Sequence, residues 1–407
     1  MGRSGHRPSP DGRSRSPQPA PGSERGAERC ANDGGERRMI DIASPEIGQA
    51  ERDAVDAVLE SGMLADGPEV RSFEEEFAAY CGVAHGVATS NGTTALHAAL
   101  EAVGVGEGDV VVTSPFSFVA SANAIRLAGA TPVFVDIDPE TYNVDPDALE
   151  ALLAERDDVT AVVPVHLYGL AADMPRIVEL AEQYDLKVVE DACQAHGAEI
   201  DGRRVGSFGD AACFSFYPTK NMTTGEGGMV VTDDEAVAAA AASYINHGRE
   251  SGPGGGYEHA SLGHNFRMTS IAAAIGRAQL EKLPRFNERR RQNAARLTER
   301  LEDAPVETPV EPEGYTHVYH QYTVRTDDRE ALQAALEERG VGSGVYYPKP
   351  INRQPAYLDG EFGGDCPEAD RAAEETLSLP VHPALTEEEV EAVADAVRAA
   401  TEVTADV

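Results

Sequence analysis

The 407-residue chain lacks any apolar run that approaches the roughly 18 unbroken residues a membrane span needs. It also lacks the apolar core of a signal peptide near its N-terminus. Both absences point to a soluble, cytoplasmic protein. Cysteines at positions 30, 81, 193, 213 and 366 form no C-x-x-C pair. Neither a disulfide framework nor a zinc site is therefore indicated, and no metal is expected. Lysine is scarce: Lys187, Lys220, Lys282 and Lys349 are the only four, so nearly all basic charge is arginine. Basic charge itself is outnumbered, 34 residues against 70 acidic ones, for a net charge of −36. No basic stripe is visible, which argues against nucleic acid as a partner. An acidic, lysine-poor surface stays hydrated where salt screens its self-repulsion, so the balance suggests a salt-rich cytoplasm. The plainer alternative is an acidic enzyme with a solvated surface.

What is present divides into three stretches. Residues 1–38 are rich in Ser, Pro, Gly and Arg and show no apolar periodicity, as in a segment that cannot bury enough surface to fold. The periodic pattern begins at Met39-Ile40-Asp41-Ile42, so Met39 reads as the true start, or else 1–38 is a disordered extension. From residue 50 helical and strand signals alternate. Helical spacing marks Glu51–Leu59, Glu69–Tyr80, Thr93–Val103, Ala120–Leu127, Pro146–Leu153 and Pro175–Tyr184. Strands are expected at Gly86–Thr89, Val110–Thr113, Thr131–Asp136, Ala161–Val165, Lys187–Glu190, Ala211–Phe216 and Gly228–Thr232. Such alternation predicts an α/β fold whose central, mostly parallel sheet is covered by helices on both faces. Ligands of such sheets sit beyond the carboxyl ends of the strands. Beyond residue 275 the pattern changes. A long Arg/Glu-rich helix at 271–301 leads to an expected strand, His317–Val324, and to helices at Arg329–Arg339 and Glu387–Ala399. We expect a large domain at 39–275 and, from 276 to 407, a linking helix and a smaller α+β domain.

Candidate chemistry collects at the strand ends. In Cys213-Phe-Ser-Phe-Tyr-Pro-Thr-Lys220-Asn-Met-Thr-Thr-Gly-Glu-Gly-Gly228 an apolar strand gives way to a polar turn that holds a lysine. Desolvation there lowers the pKa of an ammonium and favours a Schiff base. A surface lysine in a turn is the ordinary alternative, but lysine is avoided nearly everywhere else. In Lys187-Val-Val-Glu-Asp191-Ala-Cys-Gln194-Ala-His196 the carboxylate of Asp191 closes an apolar strand, where burial is costly without a partner. Taken alone it reads as a helix cap. Taken with Lys220 it fits the acid that a pyridoxal-phosphate (PLP) ring needs beside its pyridine nitrogen. In Ser90-Asn91-Gly92-Thr93-Thr94 a strand runs into a helix whose free amides and hydroxyls suit a phosphate, and Ser215 can add a hydroxyl. Phe116 and Phe118 follow a strand, so either ring can stack on a flat cofactor or fill the core. His166 and His196 read as orienting hydrogen-bond partners rather than proton carriers. His247 is a weak candidate for a substrate phosphate.

These residues resemble the DegT/StrS-type family of nucleotide-sugar aminotransferases, within the fold-type I PLP enzymes. The motifs are SNGTTAL, FSFVASANAI, PVHLYG, VVEDACQAHGA, FSFYPTKNMTTGEGG, GHNFRMTSIAAAIGRAQL and YYPKPINRQPAY, and the likeness runs over residues 39–400. The resemblance implies that Lys220 carries the PLP as a Schiff base and that Asp191 pairs its pyridinium nitrogen. Gln194 would contact the face or 3-hydroxyl side of the ring, Phe118 the opposite face. Gly92, Thr93 and Ser215 would hold the phosphate, and Asn265 would reach the phosphate in the neighbouring subunit of a homodimer. The implied reaction moves an amino group from glutamate to a nucleotide-linked keto sugar, for surface polysaccharide. Departures from the commoner pattern are Tyr217, Tyr346 and Asn352, each where His is frequent, and the last two bear on the sugar. Two rivals are a PLP-binding regulator without turnover and a PLP-dependent sugar dehydratase. A dehydratase of this family replaces the lysine, which is present here as Lys220, and a regulator would carry a DNA-binding module.

Overall fold

The computed structural model describes residues 39–249, 258–358, 362 and 364–404. The extension read at 1–38 lies outside them. Two amphipathic helices come first, α1 (Gln49–Ser61) and α2 (Pro68–Cys81). Each stops at a glycine, Gly62 and Gly82, with φ of 71° and 83°, a backbone state that any side chain would strain. Strands and helices then alternate: β1 (His85–Thr89), α3 (Gly92–Ala102), β2 (Val110–Thr113), α4 (Ala120–Leu127), β3 (Thr131–Phe134), α5 (Pro146–Glu155), β4 (Val159–Val163), α6 (Met174–Tyr184) and β5 (Lys187–Asp191). Short polar side chains write the helix starts. Asn91, Asp145 and Asp173 accept amide hydrogens from Thr94, Asp147 and Arg176, which caps α3, α5 and α6. A small hairpin, β6 (Glu199–Ile200) and β7 (Arg203–Arg204), precedes β8 (Ala211–Ser215), β9 (Gly228–Thr232) and α7 (Glu235–Tyr244).

The seven-stranded sheet runs β1-β9-β8-β5-β4-β2-β3. From β3 to β8 every pair is parallel, and only β9 runs against its neighbours β8 and β1. The valine- and alanine-rich strands are buried on both sides, as a parallel sheet requires. Side chains alternate between two cores. Val112, Val162, Val188 and Phe214 pack with α2, α5 and α6 on one face. Val111, Val163, Val189 and Cys213 pack with α3, α4 and α7 on the other. The carboxyl ends of β2, β4, β5 and β8 therefore share one edge, where ligands of such sheets bind.

The 32-residue α8 (Ser270–Leu301) follows and continues through Pro284. After β10 (Tyr315–Thr316), a two-stranded sheet pairs β11 (Tyr322–Arg325) with β12 (Thr376–Leu379), and α9 (Arg329–Glu338), α10 (Pro367–Glu375) and α11 (Glu387–Thr404) complete the chain. Leu297 and Leu301 of α8 enclose a third core with Tyr322, Val324, Leu336, Leu377 and Val393. The strand expected at His317–Val324 starts five residues later. Tyr319 takes φ 44°, its ring stacks on His317 at 3.9 Å, and the amides of Val318 and Gln321 bond to Gly169 and Tyr168 instead of a strand. Among the described residues no helix is long and apolar enough to cross a membrane.

Candidate active site

Two carboxylates end β5, and the pleat sends them to opposite sides. Glu190 faces inward and is fully buried. Its oxygens accept from the amides of Gly206, Phe208 and Gly209 at 2.7–2.9 Å, and His166 Nε2 lies 2.9 Å away. Burial pushes this carboxyl up, but His166 and the amides outweigh it, and the net shift is downward. His166 Nδ1 accepts from the Ala172 amide at 3.0 Å, so its proton sits on Nε2 and points at Glu190. His166 thus braces the strand, the orienting role its sequence suggested.

Asp191 faces the carboxyl edge. One oxygen accepts from Ser121 Oγ at 2.7 Å, the other from the Cys193 amide at 3.2 Å. Ser121 itself lies in the first turn of α4, three residues after Phe118, and its importance was not visible in sequence.

Lys220 reaches the same edge from the loop between β8 and β9. The loop is tied down by Lys220 N to Tyr217 O (2.9 Å), Thr223 Oγ1 to Phe216 O (2.8 Å) and Thr224 N to Phe216 O (3.0 Å). Loss of hydration lowers the pKa of the Lys220 ammonium, against the opposing pull of Cys193 and Asp191. Nearby His196 is driven down to about 3, first by burial and then by Lys220. It packs among Phe77, Phe214 and Phe216 and is a neutral imidazole at physiological pH.

At the start of α3, Asn91 Oδ1 takes the Thr94 amide at 3.0 Å. The amides of Gly92 and Thr93 and the hydroxyls of Thr93 and Ser215 have no hydrogen-bond partner among the described residues. A Cβ on Gly92 would lie 2.7 Å from Ser215 Cβ and 3.1 Å from Cys193 Sγ. Glycine is what lets β8 and α3 close so tightly that these donors converge. The set suits a phosphate dianion.

The two phenylalanines part company. Phe116 is fully buried against Tyr142, Tyr168 and Tyr347, whereas Phe118 is 59% exposed and offers a free ring face. Gln194 is buried, and its amide is already engaged: Oε1 accepts from the Tyr168 amide at 3.0 Å, and Nε2 donates to Tyr347 Oη at 2.9 Å. Tyr347 stacks on Tyr168 at 6.2 Å, and both hold φ of 55°. Such strain collects at functional sites. The sequence offered Tyr346 rather than Tyr347, because a tandem of tyrosines does not reveal which one turns inward.

Asn265 stands apart from this group. It is exposed, its side chain makes no hydrogen bond among the described residues, and its backbone bridges to Asn246. The adjoining backbone does reach the site edge, with Ser90 N bonded to Phe266 O at 2.7 Å, and Arg267 is held by Asn246 Oδ1 at 2.5 Å. His247 and Tyr217 are exposed.

A flat ring with a phosphate tail and a nitrogen that seeks an acid fits these residues. Donors without acceptors stand at one end, a fixed carboxylate at the other, and an open phenylalanine face lies alongside. Comparison with known proteins agrees. The sequence model of the DegT/DnrJ/EryC1/StrS aminotransferase family matches residues 45–398. A pleiotropic regulatory protein of Geobacillus stearothermophilus is 44% identical over 84% of this chain and 91% of its own length. The UDP-N-acetyl-3-dehydro-alpha-D-glucosamine 3-aminotransferase of Acidithiobacillus ferrooxidans is 42% identical over 84% of this chain and 91% of its own. The crystal structure of S. venezuelae DesV in complex with a ketimine intermediate superposes with a TM-score of 0.82 at 39% identity, covering 86% of this chain and 94% of that one. The chain therefore belongs to the DegT/DnrJ/EryC1/StrS aminotransferase family, whose members are transaminases that work with pyridoxal 5'-phosphate.

Proposed function

We propose that the protein transfers an amino group from glutamate to the keto carbon of a nucleotide-linked sugar, and that its amino-sugar product serves surface polysaccharide. The observation that carries this reading is a desolvated lysine, Lys220, set at the same sheet edge as a fixed carboxylate, Asp191, beside a cradle of unspent donors. Pyridoxal phosphate, when bound, supplies an electron sink for the carbon that loses its proton. Gly92, Thr93 and Ser215 hold its phosphate. Asp191, kept in place by Ser121 and the Cys193 amide, presents a negative charge to the ring nitrogen. Gln194, clamped between Tyr168 and Tyr347, positions the ring, and Phe118 covers its other side. Lys220 holds the cofactor and then, as a free amine with a lowered pKa, takes and returns the proton of the reacting carbon. His196 and His166 stay out of this transfer, the first neutral among phenylalanines and the second bonded to Glu190.

The sugar faces Tyr346 and Asn352 in this reading. Asn352 Oδ1 is buried without a partner and suits a sugar hydroxyl. The name of the A. ferrooxidans relative supports a 3-keto substrate. The name of the G. stearothermophilus relative raises the other reading, a cofactor-binding regulator without turnover. Incubation with glutamate and then with UDP-linked 3-keto and 4-keto sugars separates them by mass spectrometry of the sugar. An aminated product from the 3-keto sugar is expected, and no aminated sugar from either would favour the regulator.

We also assign a large domain to 39–275 and a smaller one to 276–407, a homodimer with shared sites, and a salt-rich cytoplasm. The exposed, unbonded Asn265 supports sharing, since a two-fold dimer would make the exchange reciprocal. Lys220→Ala and an Asn265→Ala/Arg267→Ala double variant, each inactive alone, should on co-expression restore up to half of wild-type activity per mixed dimer, from the one intact site. Mixed dimers without activity would show that each subunit uses its own residues. The net charge of −36 supports the salt-rich setting. Circular dichroism that stays native in dilute buffer would refute it.

A further inference from the structure

Arg290 and Arg325 are both buried, and the fold treats them differently. Arg325, 7% exposed, is ion-paired with Glu375. Arg290, 5% exposed on α8, pairs with no carboxylate among the described residues. Its Nη1 donates to the carbonyls of Tyr319 and His320 at 3.0 and 3.2 Å, while its Nε finds no acceptor among the described residues. Burial pushes the guanidinium down to about 10 with no acidic neighbour to oppose it. A cation stripped of water and left without a counter-charge is costly, and two carbonyl dipoles offset only part of that cost.

Beside Arg290 lies a crevice of about 20 Å³. That is room for one small guest. Its walls are Ser44–Glu46, the Lys220 turn at Pro218–Asn221, and Gln279, Phe286 and Arg290 of α8. Glu46 is the only carboxylate in the lining. It already bonds Arg285 at 2.7 Å and lies 3.9 Å from Lys282, so its charge is answered elsewhere. The hydroxyls of Ser44 and Thr219 have no hydrogen-bond partner among the described residues. Around the crevice stand Lys220, which repels another cation, and two histidines, His320 and His382, that burial keeps neutral.

We propose that this crevice binds one small monovalent anion, chloride, against Arg290. The ion would complete the coordination that Nε lacks. It would also tie three separate segments together, the Lys220 turn, α8 and the stretch at Ser44–Glu46. The small volume of the crevice favours a monatomic ion, so the effect should be greatest for small halides and adds to general screening of the acidic surface. It does not depend on which substrate the enzyme takes.

The test uses the PLP-loaded protein in potassium gluconate, which offers no amino group, with chloride substituted at constant ionic strength. For one site, each tenfold rise in chloride above its dissociation constant multiplies the folded-to-unfolded ratio by about ten. Gluconate salt alone should show no such increment. Arg290→Gln should abolish the increment, and Arg290→Lys should keep part of it. A chloride increment that survives intact in Arg290→Gln overturns the proposal. Crystals of the wild-type protein soaked in sodium bromide decide independently, even if the variants fail to fold. Anomalous density beside Arg290 Nε is expected, and a crevice holding water alone overturns the proposal.

Discussion

The carboxyl edge of the large sheet and the two-stranded sheet of β11 and β12 are both polar and buried, yet their hydrogen bonding is opposite in kind. In the small sheet the polar groups answer one another: Thr323 Oγ1 lies 2.8 Å from Ser378 Oγ, which reaches Gln321 at 3.1 Å, and Arg325 is held by Glu375. At the carboxyl edge the groups that orient are satisfied, as with Asp191 and Gln194, while Gly92, Thr93 and Ser215 keep donors in reserve. Folding pressure alone would pair such donors or remove them. Donors left over therefore mark where a ligand completes the structure. Satisfied networks mark where the fold completes itself.

If that contrast is right, changes at the edge should cost activity and changes in the small sheet should cost stability. The largest effect belongs to Lys220→Ala. It should lower turnover by at least about 10³-fold through loss of the proton carrier, and it should abolish the borohydride-sensitive yellow band while leaving the thermal midpoint near wild type. Retention of full transaminase activity would sink the assignment. Asp191→Asn should come next, with a loss of about 10²–10³-fold in the glutamate half-reaction. The amide keeps the shape and the bond from Ser121 but not the charge. An unchanged rate would remove Asp191 from the mechanism.

The sequence carried much of this edge, for a physical reason. Lys220 stood out because lysine is nearly absent elsewhere, Asp191 because a carboxylate ending an apolar strand needs a partner, and Gly92 and Thr93 because a strand running into a helix start leaves free amides and hydroxyls that suit a phosphate. The strand and helix alternation through residue 232 was equally legible, since buried parallel strands and capped helices leave local signals. Contacts between distant segments left none. Ser121 reaches Asp191 across 70 residues and Tyr347 reaches Gln194 across 153. The small sheet was misplaced for the same reason: β11 pairs with β12 more than 50 residues away, and the turn at Tyr319 depends on Gly169 and Tyr168. Helices α7 and α10 also escaped notice, the first being almost uniformly alanine and so without apolar periodicity.

The opposite pole of the comparison is tested by Leu297→Ala. Leu297 is fully buried where α8 meets the small sheet. Removing its side chain should cost about 2–5 kcal/mol of stability in chemical denaturation, with KM for glutamate unchanged. A shifted KM at native stability would show that the small sheet takes part in the site. Ser215→Ala sharpens the contrast from the other side, because it removes a donor that has no partner among the described residues. It should weaken PLP binding by about 10-fold or more, the worth of one hydrogen bond to a charged group, and leave the stability of the cofactor-free protein unchanged. A loss of apo stability equal to the loss of binding would mean that the hydroxyl belongs to the fold.

Glu74 falls between the two kinds, and its effect should be the smallest. It lies on α2, 6% exposed, where one oxygen accepts from the Ala88 amide at 2.8 Å beside the strand that leads to the phosphate cradle. Burial raises its carboxyl from 4.5 to about 7, and Arg71, 2.8 Å away, pulls the other way. Burial prevails because Arg71 is 54% exposed and its charge is screened by water. The sign follows from proton linkage. Below about 4.5 the folded and unfolded chains both hold the proton, so nothing is lost. As pH rises from there to about 7 the unfolded chain releases its proton first, and stability falls until the folded carboxyl also ionises. The full conversion is about 3 kcal/mol, and with Arg71 and partial hydration set against it the observable part is on the order of 1 kcal/mol. Glu74→Gln keeps the acceptor for Ala88 and cannot ionise. Its unfolding free energy relative to wild type should therefore improve by that amount between pH 5 and pH 8. A gap that does not change with pH would show that Glu74 stays ionised throughout, paired with Arg71 like the satisfied groups of the small sheet.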